Sequence, residues 1–188
     1  KDLIGKKVAI SSFQTTLSLL AKGDLKFHYD VPWEEIHWLL TAEEKVKFET
    51  KPGVKIDYIG DREQLGYQLE SGEIDAFFLP HPPHSVATGE TKARHLFADS
   101  KAEEQAYYKK HGDFPIMHIV GIRRSLVEQH PWLPVNVLNA FIEAKQICYQ
   151  NLAKVGHLFT TLPWPVDEFE AAKALPRASI SATTRFSV

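Results

Sequence analysis

Short apolar runs alternate with stretches of helical periodicity along the first 80 residues. Such alternation is typical of an α/β fold, in which strands and helices follow one another along the chain. Four segments are predicted to be strands because they are short, mostly apolar and bounded by turn residues: 8–10, 35–40, 54–59 and 74–79. The second segment also fits a helical turn, since a short apolar run has no decisive period, and we favour the strand.

Helices are predicted between these strands and again toward the C-terminus. Leucine spacing over residues 13–21 indicates one helix, which Gly23 should end. Asp61 and Gln64 form a capping-box pattern for a second helix, which Gly72 should end. The later elements are a proline-containing loop over 80–97, a polar helix over 101–110, a strand over 116–122, a short helix over 126–129 capped by Ser125, a long helix opening at 130–131, a short helix over 166–175 and an irregular tail over 176–188.

Composition narrows the classes of partner. The 188 residues carry a formal charge of -2, so the basic excess that binds a phosphate backbone is absent and nucleic acid is not expected as a partner. The apolar stretches are far shorter than the roughly 20 residues that span a bilayer. The single cysteine, Cys148, lies on the apolar stripe of the long helix and is predicted to be a core residue. The charged runs over 43–51 and 101–110 are predicted to be solvated helix faces.

The first candidate site follows the first strand. Ligands of open α/β sheets bind beyond the C-terminal ends of strands, where the N–H groups of a helix start point outward. The polar side chains there are Ser11, Ser12, Gln14 and Thr15. They predict a site for a small anionic ligand that carries a carboxylate. The alternative is an ordinary Ser/Thr cap that satisfies only its own helix.

The second candidate site is the loop after the fourth strand. His81 and His84 lie three residues apart on a proline-containing turn, a pattern that can move protons or bind a metal. Catalytic zinc normally has three protein ligands, so His118, Asp75 or residues outside this chain would have to complete such a site. Solvent-exposed histidines beside prolines, and a hydrogen-bonded core position for His118, are the alternatives. No cofactor is predicted, and a divalent metal stays an open alternative.

Several segments resemble a known family. The family-like motifs are Ile36-His37-Trp38, Ala106-Tyr107-Tyr108, Phe114-Pro115-Ile116-Met117-His118, Ile122-Arg123-Arg124 and His130-Pro131-Trp132-Leu133. Together they are similar to the 4,5-dihydroxyphthalate decarboxylase family, from about residue 2 to about residue 165. The entry into the first strand, Asp2-Leu3-x-Gly5-Lys6-Lys7-Val8, and the segment Gly72-Glu73-Ile74-Asp75-Ala76 resemble the second lobe of type II periplasmic-binding-protein folds more generally.

The resemblance implies a domain organisation. Residues 1–112 would form the second α/β lobe, an open mixed sheet flanked by helices. Residues 113–175 would form a hinge-crossing strand and helices associated with the first lobe, followed by an irregular tail over 176–188. Chains of this family begin with a first-lobe segment, which is expected to precede Lys1. The ligand would lie in a cleft between the lobes.

The resemblance also implies a function. It is the decarboxylation of a hydroxylated aromatic dicarboxylate, with His81 or His84 as the acid and Ser11, Ser12, Gln14, Thr15 and His118 contacting the substrate. The alternative is a non-catalytic solute-binding protein for a small carboxylate, because one fold supports both functions. The enzyme would be cytoplasmic, and a signal peptide upstream of Lys1 would instead indicate a periplasmic receptor. The sequence gives no indication of the oligomeric state.

Overall fold

The computed structural model describes residues 1–112, 115–154 and 165–174. The chain divides into two compact units. One consists of Lys1–Glu103 with Pro115–His118, and the other of Glu104–Phe114 with Ile119–Val188. The assignment of residue ranges to two lobes stays a prediction. No helix within the described ranges is long and apolar enough to cross a membrane.

The first unit is built on a four-stranded parallel sheet. Its strands are β1 (Lys7–Ile10), β2 (His37–Leu40), β3 (Lys55–Tyr58) and β4 (Ala76–Phe78). They lie in the order β3-β2-β1-β4, and each neighbouring pair is parallel. All four predicted strands and the α/β class are confirmed, but among the described residues the sheet is parallel throughout, and not mixed as the resemblance implied. The finer assignment to a periplasmic-binding-protein lobe stays a prediction.

The helices are, in chain order, α1 (Thr16–Phe27), α2 (Leu65–Ser71), α3 (His84–Ala87), α4 (Ser100–His111), α5 (Arg124–Gln129), α6 (Leu133–Lys154) and α7 (Pro165–Ala174). Single 3₁₀ turns lie at Trp33–Glu35 and Arg62–Gln64. The predicted helices over 101–110, 126–129 and 166–175, and the long helix after residue 131, are confirmed within a few residues. In α6, Pro134 occupies the first turn, where the missing N–H of proline costs no hydrogen bond.

Both faces of the central strands β1 and β2 are buried. Val8, Ile10, Trp38 and Leu40 belong to one core cluster, and Leu25 of α1 packs in the same cluster. The residues between them in the strands, Ala9 and Leu39, pack in a second cluster with Leu65 of α2 and with Ile74. This division follows from the pleat, which points successive side chains to opposite faces. It explains why β1, β2 and β4 are almost continuously apolar in sequence, whereas β3 at the edge of the sheet is mostly exposed.

The predicted end of α1 at Gly23 is wrong. The helix continues to Phe27, and Gly23 does not have the positive φ of a helix-terminating glycine. Glycine inside a helix costs only about 1 kcal/mol, which burial of Leu25 one half-turn later outweighs. By contrast, Gly72 adopts φ 77° immediately after α2, so the predicted stop there is confirmed.

The predicted strand over 116–122 is also wrong. Residues 115–123 have no regular secondary structure, and the side chains of Ile116, Ile119 and Val120 are exposed. A β-strand forms only where a neighbouring strand accepts and donates its main-chain hydrogen bonds. An apolar run alone indicates that a segment can pair, but supplies no pairing partner.

Four smaller expectations need correction. The helix α5 begins at Arg124 after Arg123, so Ser125 lies inside it and does not cap it. The charged run over 43–51 lies in an irregular connection between β2 and β3 and not on a helix. Cys148 is exposed, and no residue of α6 is fully buried. The loop after Pro80 contains a short helix, α3. The predicted tail over 176–188 lies outside the described residues.

Candidate functional site

Two candidate segments leave the sheet at one edge. Ile10 at the end of β1 is paired with Phe78 at the end of β4, and both strands run in the same direction. The turn that begins at Ser11 and the loop that contains His81 therefore start at neighbouring positions of the sheet's C-terminal edge. Ile10 is also paired with Leu40, so the β2–β3 connection starts at that edge too. This edge is where α/β proteins place their ligands.

The turn after β1 is held by its own hydrogen bonds. Ser11 accepts a hydrogen bond on its carbonyl oxygen from the N–H of Ala42, at 2.9 Å. The Ser18 hydroxyl donates to the carbonyl oxygen of Ser12, at 2.7 Å. Thr15 is the N-cap of α1, and its hydroxyl accepts from the N–H of Ser18 at 3.3 Å. The capping alternative thus describes what Thr15 does in this structure.

The same turn holds a carboxylate, and the carboxylate belongs to Glu44. The N–H of Phe13 donates to Oε1 of Glu44. The side-chain amide of Gln14 donates to Oε2 of Glu44 at 3.0 Å and to the carbonyl oxygen of Val46 at 2.6 Å. Both oxygens of one carboxylate are therefore bound by groups of the predicted anion-binding segment.

A buried lysine lies beneath this turn. Lys22 of α1 is only 4% exposed, and its ammonium donates to the carbonyl oxygen of Phe13 at 2.7 Å. The ammonium nitrogen also lies 3.1 Å from the centroid of the Phe13 ring and 5.6 Å from that of Trp33. Burial lowers the pKa of Lys22 to about 8, and the nearby charge of Glu44 opposes part of that shift.

The histidine loop is anchored through its backbone, which leaves both imidazoles exposed. A terminal nitrogen of Arg62 donates to the carbonyl oxygen of His81 at 3.2 Å. The N–H of His84, the first residue of α3, donates to Oε2 of Glu63 at 2.9 Å. His118 lies in the extended segment after residue 115, and its side chain is also exposed.

A cavity borders the Glu44 side chain. Its volume is about 440 Å³, and it is lined by Glu43, Glu44, Lys47, Phe48 and Tyr58. That volume is within the range of small-molecule sites. The lining combines two aromatic rings with charged groups of both signs. Tyr58 ends β3, so the cavity lies at the same C-terminal edge as the Ser11 turn.

The described residues do not provide a metal centre. Within residues 1–112, 115–154 and 165–174, no group of three or more His, Cys, Asp or Glu side chains is arranged to hold an ion. Among those residues, His81 and His84 thus have no third side chain to complete a site.

Glu44 and Lys22 are the site residues that the sequence did not reveal. The pattern assigned Glu44 to a solvated run and Lys22 to the end of a helix. Glu44 is one of several acidic residues in that run, and its neighbour Glu43 is exposed. Nothing local distinguishes the two glutamates. The position of Lys22 inside α1 depends on the continuation of that helix past Gly23.

Fold and site together define an α/β protein with a carboxylate-holding turn at the C-terminal edge of a parallel sheet. Comparison with known proteins shows that the chain is similar in sequence to two proteins of the same name. The chain is 29% identical to a 4,5-dihydroxyphthalate decarboxylase of Comamonas testosteroni over 180 residues, which is 93% of this chain and 54% of that protein. It is 23% identical to a 4,5-dihydroxyphthalate decarboxylase of Pseudomonas putida over 114 residues, 57% of this chain and 44% of that protein. No protein-family model matches the chain.

These similarities confirm the resemblance carried by the sequence motifs: the chain is related to the 4,5-dihydroxyphthalate decarboxylase family. The chain spans about half the length of the relatives it matches.

Proposed function

We propose that the protein takes part in the decarboxylation of a hydroxylated aromatic dicarboxylate similar to 4,5-dihydroxyphthalate. The similarity to a decarboxylase of that name, over 93% of this chain, carries the proposal. The turn after β1 supports it independently, because its donors hold a carboxylate in this structure. A dicarboxylate substrate needs such a site for the carboxylate that does not react.

The proposed roles follow from the chemistry of an aromatic carboxylate. Ser11, Ser12, Gln14 and Thr15 bind one substrate carboxylate. The other carboxylate leaves as carbon dioxide, and the electrons of the broken carbon–carbon bond remain on the ring. A ring hydroxyl feeds electrons into the ring as a proton is delivered to the carbon that bears the departing carboxylate, and loss of carbon dioxide then restores the aromatic ring. His81 or His84 is the proposed acid, because imidazole titrates near neutral pH.

The proposal places the substrate in a cleft between two lobes, as in a type II periplasmic-binding-protein fold. Exclusion of water from such a cleft favours the loss of a charged carboxylate as neutral carbon dioxide. The exposed apolar side chains of α6 favour packing against a second lobe. Phe141, Ile147 and Leu152 are each more than 40% exposed. The relatives are long enough to supply one. His118 is proposed to contact the substrate within that cleft.

The test is carbon dioxide release by the natural full-length protein from 4,5-dihydroxyphthalate. His81→Ala and His84→Ala are expected to lower kcat at least tenfold for whichever residue is the acid. His95→Ala is the control, because His95 is another exposed histidine of the same region. Full activity in the double variant His81→Ala/His84→Ala would remove both from the mechanism.

Binding without turnover is the result that would replace this proposal. If the wild-type protein binds the dicarboxylate saturably by calorimetry and releases no carbon dioxide, the carboxylate turn belongs to a solute-binding protein. An enzyme is expected in the cytoplasm, whereas a receptor would be periplasmic. The location of the natural protein, determined by cell fractionation, therefore adds a second, independent discriminator.

A further inference from the structure

Glu44 occupies the place that the proposed function assigns to a substrate carboxylate. We propose that Glu44 is a displaceable internal ligand: it fills the carboxylate site in the free protein and must leave when an aromatic dicarboxylate binds. The inference rests on the proposed function for its ligand class. The occupancy by Glu44 itself is independent of any reaction.

The two donors that hold the Glu44 carboxylate can serve only one carboxylate at a time. The N–H of Phe13 and the amide of Gln14 are both engaged by Glu44. The second N–H of that amide is used by the carbonyl oxygen of Val46. A substrate carboxylate placed beside Glu44 would meet a like charge, and the two groups that hold Glu44 would not be free to bind it. Binding at this turn therefore requires exchange of one carboxylate for the other.

Glu44 lies on a segment held by few contacts. Residues 41–54 connect two parallel strands without a helix or strand of their own. Glu43, Lys45, Val46 and Lys47 around Glu44 are exposed. The main apolar anchor is Phe48, whose ring stacks on that of Phe13 with centroids 5.3 Å apart and planes 10° apart. Segments with few buried contacts open at low free-energy cost.

The cavity next to Glu44 has room for the rest of the ligand. The cavity of about 440 Å³ is lined by Phe48, Tyr58 and Lys47 as well as by Glu43 and Glu44. Two aromatic rings suit the faces of an aromatic acid. The ammonium of Lys47 suits a second carboxylate. A ligand whose first carboxylate replaces that of Glu44 thus has matching groups for its ring and its second charge.

The charge of the buried Lys22 ammonium favours exchange of carboxylates over simple opening of the segment. The buried ammonium of Lys22 donates a hydrogen bond to the carbonyl oxygen of Phe13 and lies near Glu44. Exchange of Glu44 for another carboxylate leaves this local charge balance unchanged. Loss of Glu44 without replacement would leave the buried ammonium without its nearby counter-charge. The exchange is therefore favoured over simple opening of the segment.

The experiment removes the internal ligand and supplies a free one. Acetate is titrated into wild type, Glu44→Ala and the control Glu49→Ala, whose exposed glutamate lies on the same connection. Thermal melting is measured at constant ionic strength, set with sodium chloride. A tethered carboxylate acts at an effective concentration in the millimolar range or above. We expect Glu44→Ala to show a saturable rise in Tm with acetate, at an apparent affinity at least tenfold higher than that of wild type or Glu49→Ala.

Glu44→Gln keeps the inference testable if the alanine variant does not fold. Its amide oxygen still accepts the Phe13 hydrogen bond, but it lacks the charge that competes with acetate. Its apparent affinity for acetate is expected to be at least threefold higher than that of wild type. Equal acetate responses in wild type and in the variants that fold would overturn the inference. Because acetate binding needs no turnover, this result is separable from failure of the decarboxylase proposal, which is judged by carbon dioxide release alone.

Discussion

Lys22 makes the stability of this protein depend on pH in a direction that can be calculated. Its pKa is about 8 in the folded chain, against an ordinary value of 10.5. The ammonium form is disfavoured by burial, since the side chain is only 4% exposed. At neutral pH this shift costs the folded state about 3 kcal/mol, taken at 1.36 kcal/mol for each pKa unit.

The sign follows from proton counting. Between pH 8 and pH 10.5 the unfolded chain keeps the Lys22 proton while the folded chain releases it. The free energy of unfolding therefore rises with pH over that window. Between pH 7.5 and pH 9.5 the contribution of Lys22 should increase by roughly 2 kcal/mol.

The perturbation is Lys22→Met, which keeps the length and apolar stem of the side chain. It removes the hydrogen bond to Phe13, which shifts stability by about 1 kcal/mol at every pH. The informative quantity is the difference between wild type and variant, measured by urea unfolding at several pH values. The other lysines are common to both proteins and cancel. Lys45→Met, at an exposed lysine, is the control.

Between pH 7.5 and pH 9.5, we expect the free energy of unfolding of wild type to rise by roughly 2 kcal/mol relative to that of Lys22→Met. The difference in free energy of unfolding between wild type and the control Lys45→Met should not change with pH beyond the error of the measurement. A constant difference between wild type and Lys22→Met across this range would refute the assignment of a buried, desolvated ammonium to Lys22.

Three further predictions concern stability and are measured by urea or thermal unfolding. Gly66→Ala should destabilise by about 1–3 kcal/mol, because a Cβ there would lie 2.3 Å from the buried hydroxyl of Ser85; Gly23→Ala, whose Cβ would meet open space in α1, should instead stabilise by about 0.5–1 kcal/mol. Equal effects of the two changes would contradict the packing. Asp75→Asn should reduce the loss of stability in acid. The hydrogen bond from the N–H of Lys7, together with the nearby Lys6, lowers the pKa of Asp75 in the folded chain. The contribution of Asp75 to stability is therefore present above the ordinary pKa of 3.8 and disappears as pH falls through the folded pKa. An unchanged acid limb would be evidence against the hydrogen bond from the Lys7 N–H to Asp75. Leu65→Ala should cost about 2–5 kcal/mol, since the side chain is fully buried between α2 and the sheet, and a loss under about 1 kcal/mol would contradict its core position.

The candidate site shows how far local pattern reaches. Ser11, Ser12, Gln14 and Thr15 were identifiable because a polar stretch after a buried strand implies the C-terminal edge of a sheet. Gln14 binds a carboxylate of the chain itself, and binding of a free ligand by this segment stays a prediction. The partner is Glu44, 30 residues further along the chain. No local pattern could select it, because the contact depends on how the β2–β3 connection returns to the start of α1.

The sequence by itself determined the α/β class, the four strands and the stop of α2 at Gly72, because pleat alternation, apolar runs and positive φ are local properties. Only the tertiary structure decided that α1 passes Gly23, since burial of Leu25 against the sheet outweighs the cost of one glycine. It also decided that residues 116–122 do not form a strand, since pairing requires a neighbour that no sequence pattern can supply. The burial of Lys22 and its position near Glu44 have the same origin. They arise from contacts between segments that are distant in the chain, whose free energies depend on the packed arrangement and not on the residues alone.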